Sequence, residues 1–137
     1  RDSDAMQDAS NKQICWLGTK KVGSVLIIKV LVPYMNLFKH PPQEYKDLLS
    51  AAYQEGHEGV VIDLDKVEFS DSTWGPLDLA IIALKKFSLG RVALCNLHPN
   101  IEALLKLCRL DDFLQLRNSE EEAIDAILCK SRDKSEL

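Results

Sequence analysis

The most informative stretch of the chain is residues 60–87, with the sequence VVIDLDKVEFSDSTWGPLDLAIIALKKF. Its first five residues are apolar and mostly β-branched, apart from Asp63, and this pattern predicts a buried strand at the centre of a sheet. Residues 70–73 are Ser, Asp, Ser and Thr, which are types that cap helices. Residues 77–87 are strongly apolar and predict a helix on that sheet. A buried strand followed by such a helix is the repeating unit of a parallel sheet.

The segments on either side of this stretch continue the alternation of strands and helices. Residues 14–17 and 25–32 predict two strands, joined through residues 18–23 as a hairpin. Residues 45–53 then place apolar side chains on one helical face. The later predicted elements are a strand at 91–95, a helix at 101–108, a short strand at 113–116 and a final helix capped by Asn118 and Ser119. The predicted order is ββαβαβαβα, an α/β fold whose first strand pair is antiparallel.

Composition limits the function classes. The 137 residues correspond to about one domain, which we expect over residues 13–129, between a disordered lead at 1–12 and a polar tail at 130–137. The formal net charge of −4 argues against a basic nucleic-acid surface. The longest uninterrupted apolar run is six residues, 79–84, whereas a membrane span needs about 20, so we expect no membrane insertion.

The four cysteines predict no disulfide and no metal centre. Each lies among apolar residues, where a free cysteine behaves as a small hydrophobic side chain, so we expect reduced core residues in a cytoplasmic protein. Cys95 and His98 have a metal-like spacing but lack a second ligand pair. The sequence therefore indicates neither a metal nor any other cofactor.

Residues 60–87, together with residues 90–124 (GRVALCNLHPNIEALLKLCRLDDFLQLRNSEEEAI), resemble the STAS family, the domain shared by sulfate transporters and anti-sigma factor antagonists. The similar features are a strand ending in Asp-Leu, an Asp-Ser-Thr segment before an apolar helix, and a glycine-led strand with an asparagine. A proline at the third helix start, a Leu-Asp-Asp-Phe run and a Ser-Glu-Glu-Glu-Ala helix start follow in order. The resemblance implies a single STAS-like domain with a mixed sheet and helices packed mainly on one side.

The resemblance also implies a function. In the antagonist branch of the family, the first hydroxyl residue after the aspartate is phosphorylated by a partner kinase that is itself the anti-sigma factor. This position corresponds to Ser72, with Thr73 as the runner-up. The implied protein is a partner switch that binds a serine-kinase anti-sigma factor when unphosphorylated and is released on phosphorylation. A phosphatase is the second implied partner.

Two departures from the family pattern concern the partner surface. The family usually continues with Gly-Leu-Gly after the hydroxyl pair, whereas here Trp74, Gly75 and Pro76 follow. The loop after the second strand contains Tyr34 and Phe38 and lacks the usual Gly-x-Leu-Asp character. We expect the partner-binding residues to be Asp71, Trp74, Gly75, Tyr34 and Phe38.

Alternative interpretations remain open on the sequence alone. Ser72 has the position of an ordinary N-cap, worth about 1 kcal/mol to the helix. The domain would also suit a non-phosphorylated STAS subunit of a lipid-transport ATPase complex or a signalling scaffold. An enzyme with Ser72 as nucleophile is disfavoured, because no G-x-S-x-G turn is present. Whether the domain forms a homodimer stays open.

Overall fold

The computed structural model describes residues 16–32, 42–67, 74–87 and 91–136 of the chain. The strands within these residues are β1 (Leu17–Val22), β2 (Val25–Val30), β3 (Gly59–Asp63), β4 (Val92–Cys95) and β5 (Gln115–Arg117). The helices are α1 (Gln43–Gln54), α2 (Trp74–Lys86), α3 (Pro99–Leu107) and α4 (Glu120–Glu136), with a short 3-10 helix (Leu110–Asp112) before β5. The predicted order ββαβαβαβα is confirmed.

The five strands form one mixed sheet in the spatial order β1-β2-β3-β4-β5. β1 pairs antiparallel with β2, and every later pair is parallel. The strand predicted at residues 60–64 is β3, and it lies at the centre of the sheet as expected. Because successive parallel strands add on the same side, right-handed crossovers carry α1, α2 and α3 over one face of the sheet.

The core has two layers that follow the alternation of side chains along the strands. Val60 and Ile62 of β3 pack in the larger cluster, on the face covered by α1, α2 and α3. Val61, between them, points to the other face and packs with Ala123 and Ile127 of α4. Three helices therefore cover one face and one helix covers the other, as the prediction of helices mainly on one side requires.

The hairpin differs from its prediction. Residues 18–22, expected in the turn, belong to β1, and Val22 pairs directly with Val25. The connection is therefore two residues long, and Gly23 has a φ of 60°, the left-handed backbone that favours glycine at the first position of such a turn. The first strand was predicted at residues 14–17, and its continuation to Val22 was missed because β1 is an edge strand whose side chains from Thr19 to Val22 are exposed, so it lacks an apolar pattern.

Two further predictions need correction, and one helix is longer than expected. Cys108 and Cys129 are exposed, and only Cys95 of the three described cysteines is a core residue. Cys108 follows the last residue of α3 as its C-cap, which takes it off the buried stripe. The last strand is β5, later than the predicted 113–116, because the 3-10 helix occupies the chain before it. α4 continues to Glu136 through most of the segment predicted as a polar tail.

Candidate functional site

The carboxyl edge of the parallel strands is the end of the sheet that offers a functional site. β3, β4 and β5 end there at Asp63, Cys95 and Arg117, which are register neighbours across the sheet. In open parallel sheets, ligands and partners are commonly bound outside this edge, since loops and helix N-termini gather there. The chain leaves β3 at this edge and starts the return crossover with α2 at Trp74.

Most of the predicted site residues lie outside the described residues. These are Tyr34, Phe38, Asp71, Ser72 and Thr73. Their grouping into one partner surface therefore stays a prediction.

Two predicted site residues open helix α2. Trp74 and Gly75 are its first two residues, and Pro76 is the third. A proline is tolerated in a first helical turn because its missing N–H would have no partner in the helix there. The presence of Trp74, Gly75 and Pro76 in place of the usual Gly-Leu-Gly is therefore compatible with a helix that begins two residues after Ser72.

The N-terminus of α2 differs electrostatically from the other described helices. Its first turn contains no acidic residue, whereas the first turns of α1, α3 and α4 each contain at least one. A helix N-terminus carries unpaired N–H groups and about half a positive charge. No carboxylate within the first turn of α2 offsets that charge, and the nearest acidic residues in the sequence, Asp71 and Asp78, lie before and after that turn.

Asp63 is the buried polar residue at this edge. It is 2% exposed, and its Oδ1 accepts hydrogen bonds from the backbone N–H of Asp65 at 2.9 Å and from Nδ2 of Asn96 at 3.2 Å. These bonds join the chain that leaves β3 to the chain that leaves β4. Asn96 has a φ of 57°, a left-handed conformation that asparagine tolerates better than most residues. Asp63 therefore holds the exits of two central strands together.

Asp63 also contacts α4, the helix that covers the face of the sheet opposite to α1, α2 and α3. Burial raises the pKa of Asp63, and a hydrogen bond with the carboxyl of Glu120, the first residue of α4, raises it further. The same hydrogen bond lowers the pKa of Glu120, as does Lys20, whose Nζ lies 3.0 Å from Glu120 Oε1. Two carboxyl groups in contact share one proton. When this pair takes up its first proton as the pH falls, the proton resides on buried Asp63, whose O–H then donates to the Glu120 carboxylate.

Cys95, at the same edge, has an unreactive thiol. It is fully buried, and burial, followed by the nearby charge of Asp63, raises the pKa of its thiol to about 12. Because the thiolate is the reactive form of cysteine, this side chain is not a nucleophile at neutral pH. Cys95 packs in the core layer under α4.

A polar cavity of about 330 Å³ opens beside these residues. Its lining residues come from the chain after β3 and β4, from α3, and from β5 and the residue after it: Asp65, Asn96, Leu97, Glu102, Leu116, Arg117 and Asn118. The His98 ring, which had a metal-like spacing from Cys95, instead accepts a hydrogen bond from the N–H of Asn100 at the start of α3. In the described part of the chain, no group of three or more His, Cys, Asp or Glu residues is placed to hold a metal ion.

The carboxyl pair was missed in the sequence analysis. Asp63 carried a usable signal, since it is an ionisable residue inside an apolar strand, where a carboxyl needs a partner. Glu120 carried no signal that separates it from Glu121 and Glu122 beside it, because its partner lies far away along the chain.

No described helix is both long and apolar enough to cross a membrane.

The family comparison gives one match that spans most of the domain. The family model described as the STAS domain matches residues 22–123. The match includes β3, the segment with Ser72, and the whole of α2. No curated protein matches the chain.

The solved structures that resemble this chain share its fold at low sequence identity. An anti-sigma factor antagonist from Mycobacterium paratuberculosis has a TM-score of 0.65 at 19% identity, covering 81% of this chain and 92% of that one. The Bacillus cell fate determinant SpoIIAA, in its phosphorylated form, has a TM-score of 0.59 at 18% identity, covering 81% of this chain and 98% of that one. A chain from the stressosome, a signal integration and transduction hub, has a TM-score of 0.59 at 19% identity, covering 83% of this chain and 98% of that one.

Proposed function

The chain belongs to the STAS domain family, and from that premise we propose that it is a protein-interaction switch of the anti-sigma factor antagonist type. In its unphosphorylated form it binds a serine kinase that acts as an anti-sigma factor. Phosphorylation of Ser72 by that kinase releases it, and a phosphatase restores the binding form. Because a sigma factor acts where transcription takes place, we place this cycle in the cytoplasm.

The observation that carries the proposal is the family match across the segment between β3 and α2. Residues 22–123 match, so Ser72 falls inside the aligned domain, at the position that the family resemblance marks for phosphorylation. The relatives of known structure include an antagonist in its phosphorylated form. Thr73 is the second hydroxyl at this position and the runner-up acceptor.

The electrostatics of α2 support a phosphate two residues before its first residue. The first turn of α2 contains no carboxylate to repel an anion, and a helix N-terminus stabilises negative charge. A phosphate adds a charge of about −1.5 to −2, so the domain can carry it without unfolding. The same charge in a partner interface costs several kcal/mol, and ~3 kcal/mol is more than a hundredfold in affinity.

We propose that the partner surface surrounds Ser72 and includes Asp71, Trp74 and Gly75, with Tyr34 and Phe38 from the loop after β2. Tryptophan and tyrosine supply large contact areas and are over-represented among energetically dominant interface residues. Because family members with Gly-Leu-Gly present a smaller surface at the positions of Trp74 to Pro76, this chain would select a different partner.

The proposed action is binding and release, with no catalysis by this chain. The cysteine and carboxyl groups described at the sheet edge are held in a buried network, with the Cys95 thiol protonated. A second function, a non-phosphorylated subunit of a larger signalling assembly, is favoured by the similarity to a stressosome chain. In that case the same surface would serve permanent assembly.

Phosphate transfer separates the two functions. The tagged chain is purified from its own cells, bound proteins are identified, and the kinase among them is incubated with ATP and the chain. We expect stoichiometric phosphorylation of the wild type, loss of it in Ser72→Ala, and retention in Thr73→Ala. A co-purified assembly that contains no kinase, or phosphorylation unchanged in Ser72→Ala, would contradict the proposal.

A further inference from the structure

A groove between α1 and α2 is the surface that the proposed switch does not use. The α1–α2 groove has a volume of about 300 Å³. Three of its lining residues are lysines and three are uncharged: Lys46, Leu49, Ser50, Ile82, Lys85 and Lys86. Within a chain of net charge −4, three lysines around one groove form a local positive surface.

The lysines of the α1–α2 groove differ in their partners from Lys20, Lys21 and Lys106. Lys20, Lys21 and Lys106 each lie 3.0 Å from a carboxylate. Among residues 16–32, 42–67, 74–87 and 91–136, by contrast, no carboxylate lies within ion-pair distance of the groove lysines. Their positive charges are therefore available to an external anion.

The α1–α2 groove has two apolar lining residues and an exposed aromatic side chain beside it. Leu49 is buried and Ile82 is half-buried. Beside the groove, Tyr53 is 57% exposed, packs edge-on against Phe87 with ring centroids 5.9 Å apart, and has Lys86 Nζ 5.3 Å from its ring centroid. A large aromatic side chain held in place but left open to solvent is typical of an interaction surface.

From this combination we propose that the α1–α2 groove docks an acidic, amphipathic segment of a partner protein. The apolar side chains of that segment would lie on Ile82 and Tyr53, and its carboxylates would pair with the flanking lysines. This is the recognition of an amphipathic helix by a groove, with charge complementarity at the rim. Lysines are flexible point charges that suit carboxylates at variable positions, whereas a dedicated phosphate site favours the planar fork of arginine, which the groove lining does not include.

This docking surface is separate from the proposed phosphorylation site. Helix α2 is 13 residues long, about 20 Å at ~1.5 Å per residue. Ser72 precedes its first residue, and Lys85 and Lys86 form its last turn. Charges separated by much more than the Debye length of ~8 Å are largely screened at physiological salt. Binding in the α1–α2 groove should therefore be insensitive to the charge at position 72.

The test uses a defined peptide and two matched triple variants. The probe is a fluorescent helical peptide of about 18 residues with leucines at i, i+3, i+4 and i+7 and glutamates beside them, and its control has glutamine for every glutamate. The groove variant carries Lys46→Gln, Lys85→Gln and Lys86→Gln. The matched variant makes the same charge change elsewhere with Lys21→Gln, Lys66→Gln and Lys106→Gln. Anisotropy gives the affinities, and thermal melts check folding.

We expect the glutamate peptide to bind at least about tenfold more tightly than the glutamine peptide, because several exposed charge pairs add up to that factor. The affinity of the groove variant for the glutamate peptide should fall about tenfold, and that of the matched variant should fall less than about twofold. The Ser72→Asp variant should bind the peptide like the wild type. Equal losses in the two triple variants would overturn the proposal by showing non-specific attraction. Binding of phosphatidylglycerol vesicles with the same lysine dependence, and without peptide binding, would overturn it in favour of a membrane surface. Because no kinase is present, failure here leaves the Ser72 switch unaffected.

Discussion

Replacing Asp63 separates its two roles as a hydrogen-bond acceptor and as an acid. In Asp63→Asn, the amide oxygen still accepts from the Asp65 N–H and from Asn96, and the new N–H₂ group donates to Glu120 as the protonated carboxyl of Asp63 does at low pH. In Asp63→Ala, both donors lose their acceptor. A buried group left without its hydrogen bond costs about 1–3 kcal/mol. We therefore expect Asp63→Ala to lose about 2–4 kcal/mol of unfolding free energy at pH 7, and Asp63→Asn to stay within ~1 kcal/mol of the wild type.

The pH dependence of Asp63→Asn has a definite sign. Burial raises the pKa of Asp63 in the folded state, so between its unfolded pKa of about 3.9 and its folded pKa the native state holds more protons than the unfolded state. Stability contributed by this group therefore falls as the pH rises through that interval. Asparagine does not titrate, so the stability of Asp63→Asn relative to the wild type should increase as the pH rises above about 4.

Urea unfolding at a series of pH values measures both effects, with the slope against denaturant checked to be constant. The Glu121→Gln variant is the matched control, because this neighbouring glutamate is exposed and should change stability by less than about 0.5 kcal/mol. If Asp63→Asn were as destabilised as Asp63→Ala at pH 7, or if its stability relative to the wild type fell with rising pH, the shared-proton account of this edge would be refuted.

Three further predictions concern the scaffold. Gly59→Ala should lose at least about 1–3 kcal/mol in denaturant unfolding, because a Cβ there would collide with the backbone carbonyl of Arg91; stability equal to the wild type would contradict that packing. Ser119→Ala should cost about 0.5–2 kcal/mol, since its Oγ accepts an N–H of the first turn of α4 at 3.2 Å, and circular dichroism melts measure the loss. In timed alkylation at pH 8 followed by peptide mass spectrometry, exposed Cys108 should react well before buried Cys95, whose pKa is about 12; equal rates would contradict the burial of Cys95.

The order of elements was predictable because each element in the larger core cluster carries its own periodic pattern. β3 is buried along its whole length and apolar apart from Asp63, since both faces of the central strand are covered. Of the stripe predicted on α1, Tyr45, Leu49 and Ala52 are buried, whereas Tyr53 is exposed. The extent of β1 beyond Leu17 escaped prediction because only Leu17 of its six residues is buried. An edge strand obtains its stability from pairing with a neighbour, and that contribution leaves little trace in local composition.

The candidate site was predictable only where it depends on adjacent residues. The start of α2 follows from capping and proline rules applied to residues 70–76. The contacts of Asp63 with Asn96 and Glu120 link residues from three parts of the chain, and no local rule pairs them. The groove lysines likewise become one surface only when α1 packs beside α2.

The most direct test of the proposed switch is the affinity of the co-purified kinase for two variants at position 72. Ser72→Asp places a negative charge in the proposed interface, and Ser72→Ala removes only the hydroxyl. Both should stay folded, because position 72 precedes the first residue of α2, and even the loss of a helix cap costs only ≈ 0.5–2 kcal/mol, which melts will verify. The account predicts a Kd within about threefold of the wild type for Ser72→Ala and raised at least a hundredfold for Ser72→Asp. Two folded variants that both bind the kinase like the wild type would contradict it.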